Sequence, residues 1–364
     1  MTAGRQATYW LVALAVLIAL LWLLSSVLLP FVAGMAVAYF LDPAADKLED
    51  RGLSRGLATT IVVVLFFILM VLAGLLLVPI LHSQFSGFFE RLPGYIAALR
   101  ETALPFVIEL GAKIGIDIHA TAGDAVKDLA ADAVGFGFSL LRQAWSGGLA
   151  LFNILSLLVI TPVVAFYLLR DFDHMIAALD EWLPRQYAVT VRKVLADIDE
   201  VMAGFIRGQG TVCLILASFY ALSLTLSGLE FGLIIGLFSG LVSFVPFVGA
   251  LLGLILSMLT ALTQFLPNGE FGLIAIVAGV FVVGQVMEGY VLTPRLLGDR
   301  IGLHPVWVMF ALLAGGALFG FVGVLIAVPA AAALGVMVRF ALNHYLGSRL
   351  YLGRDEPPDS GAAT

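Results

Sequence analysis

Seven long stretches of this chain carry no Asp, Glu, Lys or Arg: Gln6 to Leu41, Gly56 to Phe89, Gln143 to Leu169, Gly208 to Leu229, Phe231 to Gly269, Phe271 to Met287 and Ile301 to Val338. A hydrocarbon core takes roughly 20 apolar residues per helix, so the shorter runs read as single spans and the longest can fold back on themselves, giving about eight membrane-embedded segments. None of them alternates apolar and polar residues in the strands of about ten that a barrel requires. The expectation is an all-α, polytopic integral membrane protein. Composition agrees, with 61% hydrophobic and only 12% charged residues, against roughly a quarter charged in ordinary soluble domains.

The same runs divide the chain. Residues 1–81 hold the N-terminal spans: Tyr9 to Leu29, a return starting after Pro30, and Leu57 to Leu81. Tyr9 to Leu29 is longer than a signal-peptide core and runs on into apolar sequence, so it reads as a retained span. Residues 82–142 form a polar segment, 143–169 a further span, 170–207 an amphipathic segment, 208–346 a C-terminal membrane region and 347–364 a tail of disordered composition. Lys47, Arg51 and Arg55 fall on one side of this scheme with Arg170, Arg185, Arg192, Lys193 and Arg207. Positive-inside bias makes that side cytoplasmic, along with the N-terminus, and puts the acid-rich 82–142 outside.

Within 170–207, Tyr187, Val191, Val194, Leu195, Ile198, Met202 and Phe205 recur at helical spacing between charged residues. Such a helix lies in the membrane interface or packs on a neighbouring subunit. With the Gly-rich faces of the spans, it is compatible with a homo-oligomer.

The C-terminal half echoes itself at a separation of about 75 residues, the weak symmetry expected of repeat-built transporters. Gly208-Gln209 matches Gly284-Gln285, and Phe247-Val248-Gly249 matches Phe321-Val322-Gly323. Small residues precede each tripeptide: Gly236, Ser239 and Gly240, then Gly315, Gly316 and Gly320. Helix breaks at these points leave backbone groups without intrahelical partners, tolerated in a bilayer only where protein or water covers them. Ser243 to Gly249 and Phe319 to Gly323 therefore read as hairpin tips lining a solute pathway, with close helix packing by small residues as the alternative.

Gln209, Gln264, Gln285 and Glu288 are the polar side chains that reach membrane depth. Gln285 and Glu288, three apart, share a helix face that Pro294 soon ends. Glu288 there needs a partner, a water-filled cavity or a proton. It reads either as a solute or cation contact, or as half of a structural ion pair with Arg295 or Arg300. Cys213 has no disulfide partner, and the histidines show no ligand spacing, so no metal, cofactor or redox centre is expected. A formal charge of −6 without a basic cluster argues against nucleic acid as a partner. No Walker A loop and no catalytic pair in the spans is present, which leaves no motif for ATP hydrolysis or another enzymatic activity.

Phe166-Tyr167-Leu168-Leu169-Arg170-Asp171, Ile206-Arg207-Gly208-Gln209, Val245-Pro246-Phe247-Val248-Gly249, Glu288 through Arg295, His304-Pro305 and Gly320-Phe321-Val322-Gly323 leading to Pro329 together resemble the autoinducer-2 exporter family, also called PerM-like permeases. The resemblance implies a prokaryotic inner-membrane protein of about eight spans. It also implies either export of a small signalling furanone or exchange of sodium or lithium for protons; a non-transporting membrane scaffold, working through 82–142 and the amphipathic helix, is the further alternative. The family's recurrent positions carried over here are Gly208, Gln209, Pro246, Gly249, Glu288, Pro294, Pro305, Gly323 and Pro329. The pathway residues expected on both grounds are Gln209, Gln285, Glu288, Pro246, Gly249, Gly323 and Pro294, with a small molecule or cation as cargo and the lipid bilayer as surroundings.

Overall fold

The computed structural model describes residues 12, 16, 20, 23–98, 148–246, 248–298, 303–348 and 351. Every described element is helical: α1 (Ser25–Glu49), α2 (Arg55–Ala98), α3 (Gly148–Glu181), α4 (Ala188–Leu226), α5 (Gly232–Val242), α6 (Val248–Phe265), α7 (Phe271–Val286), a π-helical continuation (Met287–Leu297) and α8 (Pro305–Leu346). Among the described residues six helices are long and apolar enough to cross a membrane: Val27–Glu49, Arg55–Leu77, Ala188–Leu226, Val248–Asn268, Phe271–Leu297 and Pro305–Leu346. With α8 folded on itself and the apolar α5 beside them, this accords with the all-α polytopic expectation of about eight segments. All of 99–147, the first part of the first apolar run save residues 12, 16 and 20, and nearly all of 349–364 lie outside the described residues.

The chain forms two compact units, one of Val27–Arg170 with Arg207–Gly298, the other of Asp171–Ile206 with Asp299–Thr364 and Met1–Ser26. In the larger unit α1 packs on α2 and α3 through Ala38, Leu41, Ala45, Val62, Val63 and Leu169. Gly34 permits that approach, since a Cβ there would lie 2.7 Å from Val164. Two sequence boundaries shift. The chain does not turn at Pro30, because α1 begins at Ser25 and carries both Pro30 and Pro43 within it. So close to the helix start, the missing N–H of Pro30 forfeits a single bond. Helix α2 runs past Leu81 to Ala98.

In the smaller unit the amphipathic stretch is the first part of α4. Part of its apolar side is covered within the chain: Ile198 and Val201 pack on Ala332 and Val336 of α8 and on Leu303. Tyr187 and Leu195 stay exposed. Asp180 receives Arg192 through two bonds, Nε to Oδ1 at 2.6 Å and Nη2 to Oδ2 at 2.7 Å. The hydrogen bond from Arg192 holds the Asp180 carboxyl below the usual carboxylate range.

Helix α8 contains the second expected break. Gly320 has φ 60° and ψ −139°, a conformation open to glycine and strained for any other residue. The chain folds back there so tightly that a Cβ on Gly323 would fall 1.9 Å from the carbonyl oxygen of Gly315.

Candidate solute site

The first hairpin, in the larger unit, is built by removal of side chains. Gly232, Gly236 and Gly240 form one stripe of α5, four residues apart, and meet Leu224, Ala221 and Ala217 of α4. A Cβ on Gly236 would come within 2.3 Å of the Ala221 nitrogen, and one on Gly240 within 2.1 Å of the Ala217 Cα. Backbones this close are held by dispersion between small surfaces, the usual solution where lipid offers no hydrophobic drive. Past the break, Gly249 and Gly253 of α6 admit Ser243 and Ser239 in the same manner.

The break exposes backbone groups that a bilayer cannot hydrate. Three buried side chains bond to backbone carbonyls around it, that of Gln209 at the break itself. Gln209 Nε2 donates to the Ser243 carbonyl at 2.7 Å, Ser243 Oγ donates to the Ser239 carbonyl at 2.9 Å, and Ser239 Oγ donates to the Gly249 carbonyl at 2.9 Å. Gln209 is 5% exposed, so its amide nitrogen serves the hairpin. Gln264 has a comparable role in the α4–α5 turn: Oε1 accepts from Glu230 N and Nε2 donates to the Gly228 carbonyl, both at 2.8 Å. Gln209→Ala is expected to destabilise the protein by about 1–3 kcal/mol, the cost of stranding a buried carbonyl, read as a lower unfolding temperature in detergent. Gln209→Met, which keeps the length but has no donor, should behave the same way.

A second polar group lies where α7 becomes π-helical. Gln285 Nε2 donates to Glu288 Oε2 at 2.9 Å. Gln285 is exposed and Glu288 half-buried. No ion pair joins Glu288 to Arg295 among the described residues, while Arg300 lies outside them. Pro294 sits inside the π segment, three residues before its end at Leu297. A wider turn relieves the clash of its ring with the preceding carbonyls, and such π segments recur at functional sites. Gly208 of α4 admits this segment, since a Cβ there would lie 2.7 Å from the Leu296 carbonyl oxygen. Behind the pair, Tyr220 of α4 stacks on Phe281 with centroids 4.8 Å apart and presses on Gly284. Among the described residues no group of three or more His, Cys, Asp or Glu is arranged to hold a metal ion.

The family model for the AI-2E family transporter matches residues 11–343. The chain belongs to the AI-2E transporter family. It is 29% identical over 336 residues to "Putative transport protein YrrI" of Bacillus subtilis, covering 90% of this chain and 89% of that one. It is 26% identical over 327 residues to "Putative permease PerM" of Escherichia coli K12, covering 90% of each. A Mycobacterium tuberculosis relative, "Putative transport protein MT0215", is 27% identical over 339 residues, 90% of this chain and 88% of its own.

The positions by which this AI-2E family member was expected to work thus separate. Gln209, Pro246 and Gly249 belong to the first hairpin, and Gln285, Glu288 and Pro294 to the α7 junction, all in the larger unit. Gly323 belongs to the second hairpin in the smaller unit. Phe247 lies outside the described residues. One charged cluster escaped the sequence reading. Asp42 accepts from Arg55 Nη2 at 2.9 Å and from Arg207 Nη2 at 2.8 Å. Arg55 also reaches Asp46 at 2.6 Å and Glu49 at 3.1 Å, and donates to the Leu169 carbonyl at 3.1 Å. Arg207 Nε donates to the Tyr39 carbonyl at 2.8 Å. The signal was the spacing of Asp42, Asp46 and Glu49, which falls on one helix face once α1 is continued to Glu49.

Proposed function

We propose that this AI-2E family member is a multi-pass inner-membrane permease that moves a small solute, of the class of the furanone signals after which the family is named. The observation that carries this reading is a half-buried carboxylate and a carboxamide, Glu288 and Gln285, set together at a π-helical junction within a span. A group of this kind in a bilayer is expensive and marks a pathway by default. The remaining assignments follow the charge pattern: 170–207 cytoplasmic and 82–142 extracytoplasmic. On this reading the chain performs no covalent chemistry, and its pathway draws on Gln285, Glu288 and Pro294, with Gln209, Pro246, Gly249 and Gly323 shaping the broken helices.

A second reading is favoured by one feature: Glu288 has no ion pair with Arg295, which leaves its carboxylate available to exchange sodium or lithium for a proton. One experiment separates the two. Proteoliposomes containing an internal pH dye are given labelled furanone, or a sodium or lithium gradient. The expected result is furanone flux that Glu288→Gln lowers about tenfold, equivalent to roughly 1.4 kcal/mol of lost stabilisation. A cation-driven pH change abolished by the same substitution would select the antiporter instead. A wild-type protein silent in both assays would sink both readings.

A further inference from the structure

Tyr220 is 0% exposed. Its ring stacks on Phe281 with 22° between the planes. It rests against Gly284, where a Cβ would come within 2.3 Å of the phenolic oxygen. A phenylalanine would keep the stack on Phe281 and the ring-carbon contacts with Gly284, at 2.4 and 2.5 Å from a Cβ there, so ring packing does not account for the hydroxyl. That hydroxyl makes no hydrogen bond among the described residues, and a hydroxyl buried without a partner is unfavourable. Gln285 follows Gly284 directly in the chain and Glu288 stands one helical turn beyond it, so both side chains spring from the stretch of helix on which the ring rests. Gln285 directs its amide nitrogen to Glu288 in this structure, yet a carboxamide holds two donors and an acceptor, all suited to a phenol.

We propose that Tyr220 is a positioning residue of the Gln285–Glu288 site, its hydroxyl being the second seat of the Gln285 carboxamide, taken up when cargo engages Glu288. The proposal rests on the reading that this pair meets the cargo. Exchange of one hydrogen bond for another lets Gln285 leave the carboxylate without stranding its own amide, and it relieves the phenol of its unmet bond. The energy difference between the two arrangements is that of single hydrogen bonds, small enough for a bound solute or cation to tip.

The test needs no cargo. Thermal unfolding of the full chain in detergent is measured for Tyr220→Phe in the wild-type and in the Glu288→Ala background. In the first, where the hydroxyl is unpaired, the midpoint is expected to stay or rise. In the second, where Gln285 has lost its carboxylate and turns to the phenol, Tyr220→Phe is expected to lower it by about 1–3 °C, a coupling that a merely structural tyrosine would not show. Equal shifts in both backgrounds overturn the proposal whether or not any flux is found. A reversal of sign in a protein that transports nothing sinks the transport reading and leaves the coupling standing. In active proteoliposomes Tyr220→Phe is expected to raise the apparent KM for the transported solute about threefold at unchanged protein yield, and an unaltered KM counts against the proposal.

Discussion

Gly240→Ala is expected to leave little folded protein in the membrane. The added methyl group would sit 2.1 Å from both the Ala217 nitrogen and its Cα, and neither of these backbone atoms can swing aside as a side-chain tip would. Overpacking of this sort costs about 1–3 kcal/mol when neighbours yield and more when they cannot. The whole margin of a native protein is about 5–15 kcal/mol. Gly279→Ala provides the matched control, because nothing lies within 4 Å of a Cβ at that position in α7. There the substitution should be harmless or gain up to about 1 kcal/mol from helix propensity. Monodisperse yield from detergent extracts measures both. Equal yields for the two variants would show that the α4–α5 contact is looser than described.

The second large effect is expected at Asp42→Ala. This carboxylate is shared by two guanidinium groups, and charge-assisted bonds contribute about 1.5–3 kcal/mol each where partly buried. Arg207 would retain only the Tyr39 carbonyl, and Arg55 would keep Asp46 and Glu49. A loss of about 2–4 kcal/mol in unfolding stability is the expected outcome, reduced toward the lower value because the side chains of Asp42 and Arg55 are 32% and 23% exposed. Asp46→Ala removes one bond from a side chain 54% exposed and should cost less than about 1 kcal/mol. If the two alanine variants unfold at the same midpoint, Asp42 does not have the bridging role assigned to it.

Both effects arise where distant parts of the chain meet, and they illustrate what a linear reading could and could not find. Both hairpins were visible in advance, since Gly236, Ser239 and Gly240, or Gly315, Gly316 and Gly320, can serve only where backbones come close or turn. The role of Gln209 was not visible. A glutamine at membrane depth reads equally as a solute contact or as a structural donor, and its acceptor, the Ser243 carbonyl, stands 34 residues away. Gln264 is the same case, bonded to Gly228 and Glu230 of a distant turn. Arg207 was counted only as a topogenic charge, yet its carboxylate partner lies 165 residues earlier. The amphipathic stretch from Tyr187 to Phe205 was recognised from its period, but period alone does not say what covers the apolar face.

The sequence by itself determined that this chain is an all-helical membrane protein of the AI-2E type, because charge-free runs of this length have no other low-energy home and because motifs from Phe166 to Pro329 repeat the family pattern. Only the tertiary structure decided which polar groups serve the fold. It turned Gln209 into the brace of a hairpin, packed Ile198 and Val201 of α4 on α8, joined Asp42 to two arginines and set Gln285 beside Glu288 at the π-helical junction. The physical reason is that hydropathy is summed along a segment and can be read locally, whereas the satisfaction of a buried donor or charge depends on an acceptor that folding brings from elsewhere.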